Sequence, residues 1–263
     1  MLHADGVSQA IRRLGLTASL SGELSDLLQS FSAEARNALD SELIGLYVSG
    51  SLMMGDFEPA SSDIDFLAVT SRPLDASDLP RIAELHNVLA GRPFGERLEG
   101  SYAAKDCLHP WGIPGNIVSV EPGTSPAYGP GDYSADNMWA LRNASVDLLG
   151  PPSAALMPEV DPNTLRAGLL EYLEELLHRP LDRSADELSA SLLNIARCLY
   201  GMESGRACVK SEAAAWLCRR FPEVEPGLSA ALQVRKGTAG ADPQAMRLAI
   251  ARLARLRSTI GLA

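Results

Sequence analysis

The sequence predicts an α+β domain over residues 1–157, followed by an all-α helical bundle over 158–263. Three observations carry this expectation. Helix-spaced and strand-like apolar segments alternate through the first half. A proline-rich stretch from Gly150 to Asn163, with Pro151, Pro152, Pro158 and Pro162, interrupts the pattern. Beyond it the apolar residues recur only at helical spacing.

The elements follow in chain order. Ser21 to Leu39 places Leu24, Leu27, Leu28, Phe31 and Ala35 along one helical stripe. Leu43 to Ser49 is a short apolar run, the mark of a buried strand. Ile64 to Val69 reads as a second strand, Pro80 to Ala90 as a helix, and Arg97 to Ala103 as a third strand. Pro110 to Gly131 is rich in Gly and Pro and reads as loop, with one short strand at Ile117 to Val120. In the second half Leu165, Leu169, Tyr172, Leu173 and Leu176 form one apolar stripe, and Leu188, Leu192, Ile195 and Leu199 another. The latter opens on Ser184-x-x-Glu187, a pattern in which two side chains satisfy backbone N–H groups reciprocally. Ser211 to Arg220 and Asp242 to Thr259 complete the bundle, with Asp242 as N-cap of the last helix and Pro243 in its first turn.

Composition narrows the function classes. Hydrophobic residues make up 46% and charged residues 21%, enough apolar mass for a real core. No run of 18 apolar residues occurs, so no membrane span is expected. Met1 to Leu20 lacks the basic-then-apolar pattern of a secretory leader, and the expectation is a cytoplasmic protein. Cys107, Cys198, Cys208 and Cys218 form neither a C-x-x-C pair nor a zinc spacing, and read as buried thiols. The four histidines are scattered, and Trp111, Trp139 and Trp216 read as packing residues. A net charge of −10 tells against nucleic acid as the main partner. That charge is uneven: residues 1–150 hold 20 acidic and 9 basic side chains, residues 151–263 hold 13 and 14. An acidic half is suited to attracting a small cation, although acidic surface also serves solubility.

The chemistry concentrates between Gly50 and Phe66. Gly50-Ser51 directly follows a predicted strand, where backbone N–H groups and one hydroxyl can approach phosphate oxygens. Ser62-Asp63-Ile64-Asp65-Phe66 then opens the next strand. Side chains two apart on a strand leave the same face, so Asp63 and Asp65 stand together while Ile64 and Phe66 turn away. Paired carboxylates repel unless a cation lies between them. Mg²⁺ suits that place, because it takes oxygen ligands and is held by one or two carboxylates plus substrate phosphates. Either element alone is ordinary turn and strand-edge chemistry; their order and spacing give them meaning.

This order resembles the signature of the polymerase-β-like nucleotidyltransferases, which implies a mixed-sheet domain. The stretch from Gly50-Ser51-Leu52-Met53-Met54-Gly55 to Phe66 is similar to the aminoglycoside adenylyltransferases that modify streptomycin and spectinomycin, in which a helical domain follows. The resemblance extends to Gly150-Pro151-Pro152, and to Ala196-Arg197-x-x-Tyr200 with Ser204-Gly205, Lys210 and Ala213 to Trp216. It implies ATP and Mg²⁺ as cofactors, with Gly50, Ser51 and Ser62 at the triphosphate and Asp63 and Asp65 on the metal. Glu99, in Arg97-Leu98-Glu99, would join the metal and accept the proton of the acceptor hydroxyl. Arg197 and Lys210 would supply cations to the phosphates. Asp186, Glu187 and Trp111 fall at acceptor-binding positions, although Glu187 is also needed by the capping box. The expected partner is an aminoglycoside-like cation acting on a monomer, with neither nucleic acid nor membrane involved. Glu121 to Tyr128 carries no Trp where streptomycin-handling members have one, which tells against streptomycin. Transfer to another small-molecule or protein acceptor, or nucleotide sensing without catalysis, remain alternative readings at this point.

Overall fold

The computed structural model describes residues 4–12, 14–108, 117–129 and 134–256. They belong to two compact units. The first comprises Met1–Phe57 and Ser62–Glu159; the second comprises Val160–Ala263 and the short segment Glu58–Ser61.

The first unit is built on six strands: β1 (Leu43–Val48), β2 (Ile64–Thr70), β3 (Leu98–Ala104), β4 (Ile117–Val120), β5 (Ala127–Gly129) and β6 (Val146–Leu149). They lie in the order β5-β4-β3-β2-β1-β6. Only β2 and β3 run parallel; the other neighbouring pairs are antiparallel. A parallel pair needs a crossover, here made through α4 (Leu79–Ala90). This is the mixed sheet expected from the motif. Helices α1 (Ala4–Arg12) and α2 (Ala18–Leu39) precede it, and α3 (Gly50–Met53), α5 (Ala135–Asn143) and α6 (Ser153–Leu156) complete the unit.

Strand alternation divides the sheet into two faces. Ile64, Phe66, Leu98, Tyr102, Val118 and Val120 share one core with Leu24, Leu27, Leu28 and Phe31 of α2 and Ile82, Leu85 and Leu89 of α4. Phe66 meets Phe31 edge-on at 4.9 Å between ring centroids. His86 of α4 lies among Phe31, Phe66 and Tyr102, its Nε2 3.0 Å from the Tyr102 hydroxyl. Burial of each large apolar side chain here contributes roughly 2 kcal/mol. Charge secures the far end of β2. The Arg72 guanidinium bonds to Glu42 at 2.7 Å and to Asp78 at 2.9 Å, and Arg81 also reaches Asp78. Asp78 is completely buried just before α4, and Arg72 holds its carboxyl well below the ordinary carboxylate range.

The second unit is helical: α7 (Pro162–His178), α8 (Ala185–Ser204), α9 (Lys210–Arg220), α10 (Glu225–Arg235) and α11 (Pro243–Leu256). Helix α8 is central and packs against each of the other four. Its capping box is formed: Ser184 Oγ accepts the Glu187 N–H, and Glu187 accepts the Ser184 N–H at 3.0 Å. Asp242 caps α11 through the Gln244 N–H at 2.8 Å, and Asp161 caps α7 through Asn163 and Thr164. In the short segment Glu58–Ser61, Ser61 Oγ donates to the Arg235 carbonyl.

Several elements go beyond the sequence expectation, among them α1 and α6. β5 is three residues, too short to show alternation, and the Gly/Pro-rich region around it reads as loop. β6 and α5 lie where no strong period was visible. α10 begins Glu-Pro-Gly, which resembles a turn, yet Pro in the first turn costs a helix nothing. Among the cysteines, Cys198 and Cys208 are buried as expected, whereas Cys107 and Cys218 are half-buried; all four are free thiols. No helix among the described residues is long and apolar enough to cross a membrane.

Candidate active site

The two halves of the Gly50–Phe66 motif meet in space. After β1 the chain passes through Ser49, which is buried and donates its N–H to the Asp65 carbonyl at 3.0 Å. Gly50 then adopts φ +67° and opens the single turn of α3. A Cβ built on Gly50 would fall 1.7 Å from Asp65 Oδ2. The Asp65 carboxylate therefore occupies the space that any other residue at position 50 would need. The N-cap of α3 is Ser49, whose side chain makes no capping bond. The turn bearing Gly50 and Ser51 thus lies directly against the carboxylate.

The second convergence comes from sheet register. Asp65 on β2 is the direct partner of Glu99 on β3. Alternation places both on the face turned away from α2 and α4, and both are half-buried. Asp63, also half-buried, lies immediately before β2, two positions ahead of Asp65. Ser62 beside it is buried, and its carbonyl accepts a bond from Arg97 Nη1 at 3.3 Å. Gly50, Ser51, Ser62, Asp63, Asp65 and Glu99 thus all belong to one region of the first unit.

These residues suit a hard divalent cation. Their donors are all carboxylate oxygens, and Asp65 is fixed in a cradle that a Cβ at position 50 would fill. Among the described residues no group of three or more His, Cys, Asp or Glu side chains forms a ready metal cage. Mg²⁺ would accordingly take further oxygens from nucleotide phosphates or water, as it commonly does.

Arg97, which received no role of its own in the sequence reading, braces Ser62 and lies over the Phe94 ring at 5.8 Å. The resemblance also implies an Asp near the nucleotide ahead of Trp139, at Asp132 or Asp136; Asp132 lies outside the described residues, and Asp136, in the first turn of α5, is a buried carboxylate on a helix that packs against α3.

The remaining predicted residues belong to the second unit, apart from Trp111, which lies outside the described residues. Arg197 on α8 is half-buried; its Nε donates to the Cys208 carbonyl at 3.0 Å and its Nη1 to Asn194 at 3.4 Å. Lys210 opens α9, two positions beyond Cys208, and is also half-buried. Tyr200 accepts from Arg206 and donates to Glu212 at 2.8 Å, with Trp216 edge-on at 5.6 Å, so this part of the motif ties α8 to α9. Asp186 and Glu187 are exposed at the start of α8. Glu187 is engaged in the capping box, and its bonds to Ser184 hold its carboxyl below the ordinary range.

A mixed sheet bearing a Gly-Ser turn against an Asp-x-Asp strand, with a Glu in register, is followed by a helical domain. Residues 155–259 match the family model described as the aminoglycoside adenylyltransferase C-terminal domain. The match spans the helical second half of the chain. The same fold occurs in the crystal structure of spectinomycin adenyltransferase AAD(9) from Enterococcus faecialis, determined with ATP and spectinomycin. That match has a TM-score of 0.71 and 18% identity, and covers 88% of this chain and 97% of the other. No curated protein sequence matches the chain.

Proposed function

We propose that the enzyme uses ATP and Mg²⁺ to transfer AMP to a hydroxyl of an aminoglycoside-type acceptor, spectinomycin being the first candidate. The observation that carries this reading is the register of Asp65 with Glu99, together with Gly50 against Asp65. Gly50 and Ser51 receive the triphosphate, with Ser62 beside them. Asp63 and Asp65 hold Mg²⁺, which when bound neutralises charge on the phosphate oxygens. Glu99, one strand away, takes the proton of the acceptor hydroxyl as that oxygen attacks the α-phosphorus. Arg197 and Lys210 are the cations that receive charge moving onto pyrophosphate. Asp186 offers an exposed carboxylate to the cationic acceptor. The spectinomycin bound to AAD(9) supports the choice of acceptor class.

The test is pyrophosphate release from ATP and Mg²⁺, with spectinomycin and streptomycin offered separately. Asp63→Asn is expected to lower turnover by about a thousandfold while the circular dichroism spectrum stays unchanged. A fully active Asp63→Asn enzyme would remove the metal assignment. Release with neither acceptor in the wild type would move the acceptor to a different molecule.

A further inference from the structure

In the second unit a chain of polar contacts links α7 to α8 and α8 to the start of α9, with Arg197 at its centre. Asn194 and Arg197 are three residues apart on α8, so their side chains leave the same face of the helix. Arg197 Nη1 donates to Asn194 Oδ1 at 3.4 Å. Asn194 Nδ2 donates in turn to the Tyr172 hydroxyl of α7 at 3.1 Å. From the other side, Arg197 Nε donates to the Cys208 carbonyl at 3.0 Å. The buried Cys208 thiol reaches back to the Arg197 carbonyl at 3.9 Å. Cys208 stands two positions ahead of Lys210, the first residue of α9.

The chemistry of the side chains dictates the direction of these bonds. A guanidinium only donates, through five N–H groups in a rigid planar fork. It needs the oxygen of Asn194, which turns the amide nitrogen toward Tyr172 and makes that hydroxyl the acceptor. Holding Nε on one side and Nη1 on the other fixes the plane of the fork. Asn194 and the Cys208 carbonyl both offer neutral oxygens. A neutral oxygen orients a guanidinium without cancelling its charge, whereas a carboxylate would do both. The same unit holds an example of the second kind: Arg206 bonds to the Glu212 carboxylate of α9.

We infer that Asn194 is a positioning residue for the nucleotide phosphates: it holds the Arg197 guanidinium in one orientation relative to Lys210, by a contact that leaves its charge intact. The inference rests on the reading of Arg197 as a phosphate cation. A long side chain that is already ordered gives up less rotamer freedom when the anion arrives, so its contacts count more fully toward binding. Position 194 accordingly requires an acceptor without charge. A carboxylate there would hold Arg197 more tightly and serve phosphate worse.

Equilibrium binding of MgATP to the full chain, measured by calorimetry with no acceptor present, tests this without turnover. Asn194→Asp is the informative variant, because it keeps the shape and the acceptor oxygen and adds a charge. It should weaken MgATP binding about tenfold, and Asn194→Ala about threefold. Adenosine, which carries no phosphate, should bind the wild type and both variants alike. Arg197→Ala should itself lose about tenfold. In that background Asn194→Ala should weaken MgATP no further, because Asn194 acts through the guanidinium; a purely structural role would add its loss in either background. Unaltered MgATP affinity in Asn194→Asp, an equal loss of adenosine binding, or an Asn194→Ala effect that persists without Arg197 overturns the inference and leaves Arg197 its role. An Arg197→Ala chain that binds MgATP as tightly as the wild type, or a wild type with no affinity for MgATP, overturns both. A wild type that binds MgATP and releases no pyrophosphate with either antibiotic removes the transfer reading alone, and the binding series still decides the role of Asn194.

Discussion

Gly50 and Asp65 fill adjoining space, and Gly50 cannot gain a side chain without displacing Asp65. Gly50→Ala would set a methyl 1.7 Å from Asp65 Oδ2, in a backbone region that L-residues already disfavour. The carboxylate must swing away, and an ångström of misplacement at a reacting centre costs about a hundredfold in rate. The informative comparison is Gly55→Ala. Gly55 has a similar positive φ, but nothing lies within 4 Å of its added Cβ. Gly55→Ala should therefore cost about 1–2 kcal/mol of stability and leave turnover intact, whereas Gly50→Ala should lose turnover at least a hundredfold. Chemical denaturation alongside pyrophosphate release distinguishes the two. Equal loss of turnover in both would mean that backbone strain, not the carboxylate, explains the glycine.

The capping box of α8 offers a prediction at the scale of the element. Ser184→Ala removes the acceptor for the Glu187 N–H and should destabilise the helical unit by about 1 kcal/mol, lowering its melting midpoint by roughly 5 °C in a calorimetric scan. At the far end of β2, Asp78→Asn should cost about 2–3 kcal/mol, reduced from the value for a fully buried pair because Arg72 and Arg81 are partly exposed. Urea denaturation at pH 7 measures it.

Elements of this kind differ in how openly the sequence displays them. The α2 stripe and the Ser184 box are local patterns, and periodicity or capping chemistry is enough to find them. The Gly-Ser and Asp-x-Asp segments are also local, and their spacing after a strand is what the family resemblance rests on. The approach of Gly50 to Asp65 and the pairing of Asp65 with Glu99 depend instead on how distant strands align. No spacing within one segment encodes such a register. The same holds for β5, whose three residues have meaning only beside β4.

At the scale of the whole molecule, pH acts on the core of the first unit through His86. Burial lowers its pKa from 6.5 to about 4, so the folded protein keeps the ring neutral. The unfolded chain takes up the proton first. The stability associated with the neutral ring is complete above pH 6.5 and is lost as pH falls toward about 4, a change on the order of 3 kcal/mol. Urea midpoints measured from pH 7.5 to pH 4.5 should fall accordingly. His86→Gln should flatten that profile, at the cost of some stability at pH 7 from lost ring packing. An unaltered slope in His86→Gln would assign the acid sensitivity to other groups.

The sheet has one parallel pair, and that pair carries Asp65 and Glu99. Antiparallel neighbours such as β4 and β5 are joined by short connections and can form early in folding, from nearby chain. β2 and β3 cannot pair until the crossover through α4 has been laid across the sheet, because loop closure precedes the contacts that reward it. The meeting of the two carboxylates is therefore expected among the later events of folding. A growing or partly folded chain would already hold strands and hairpins before it brought Asp65 beside Glu99, so the centre proposed for adenylyl transfer would arrive only with completion of the fold.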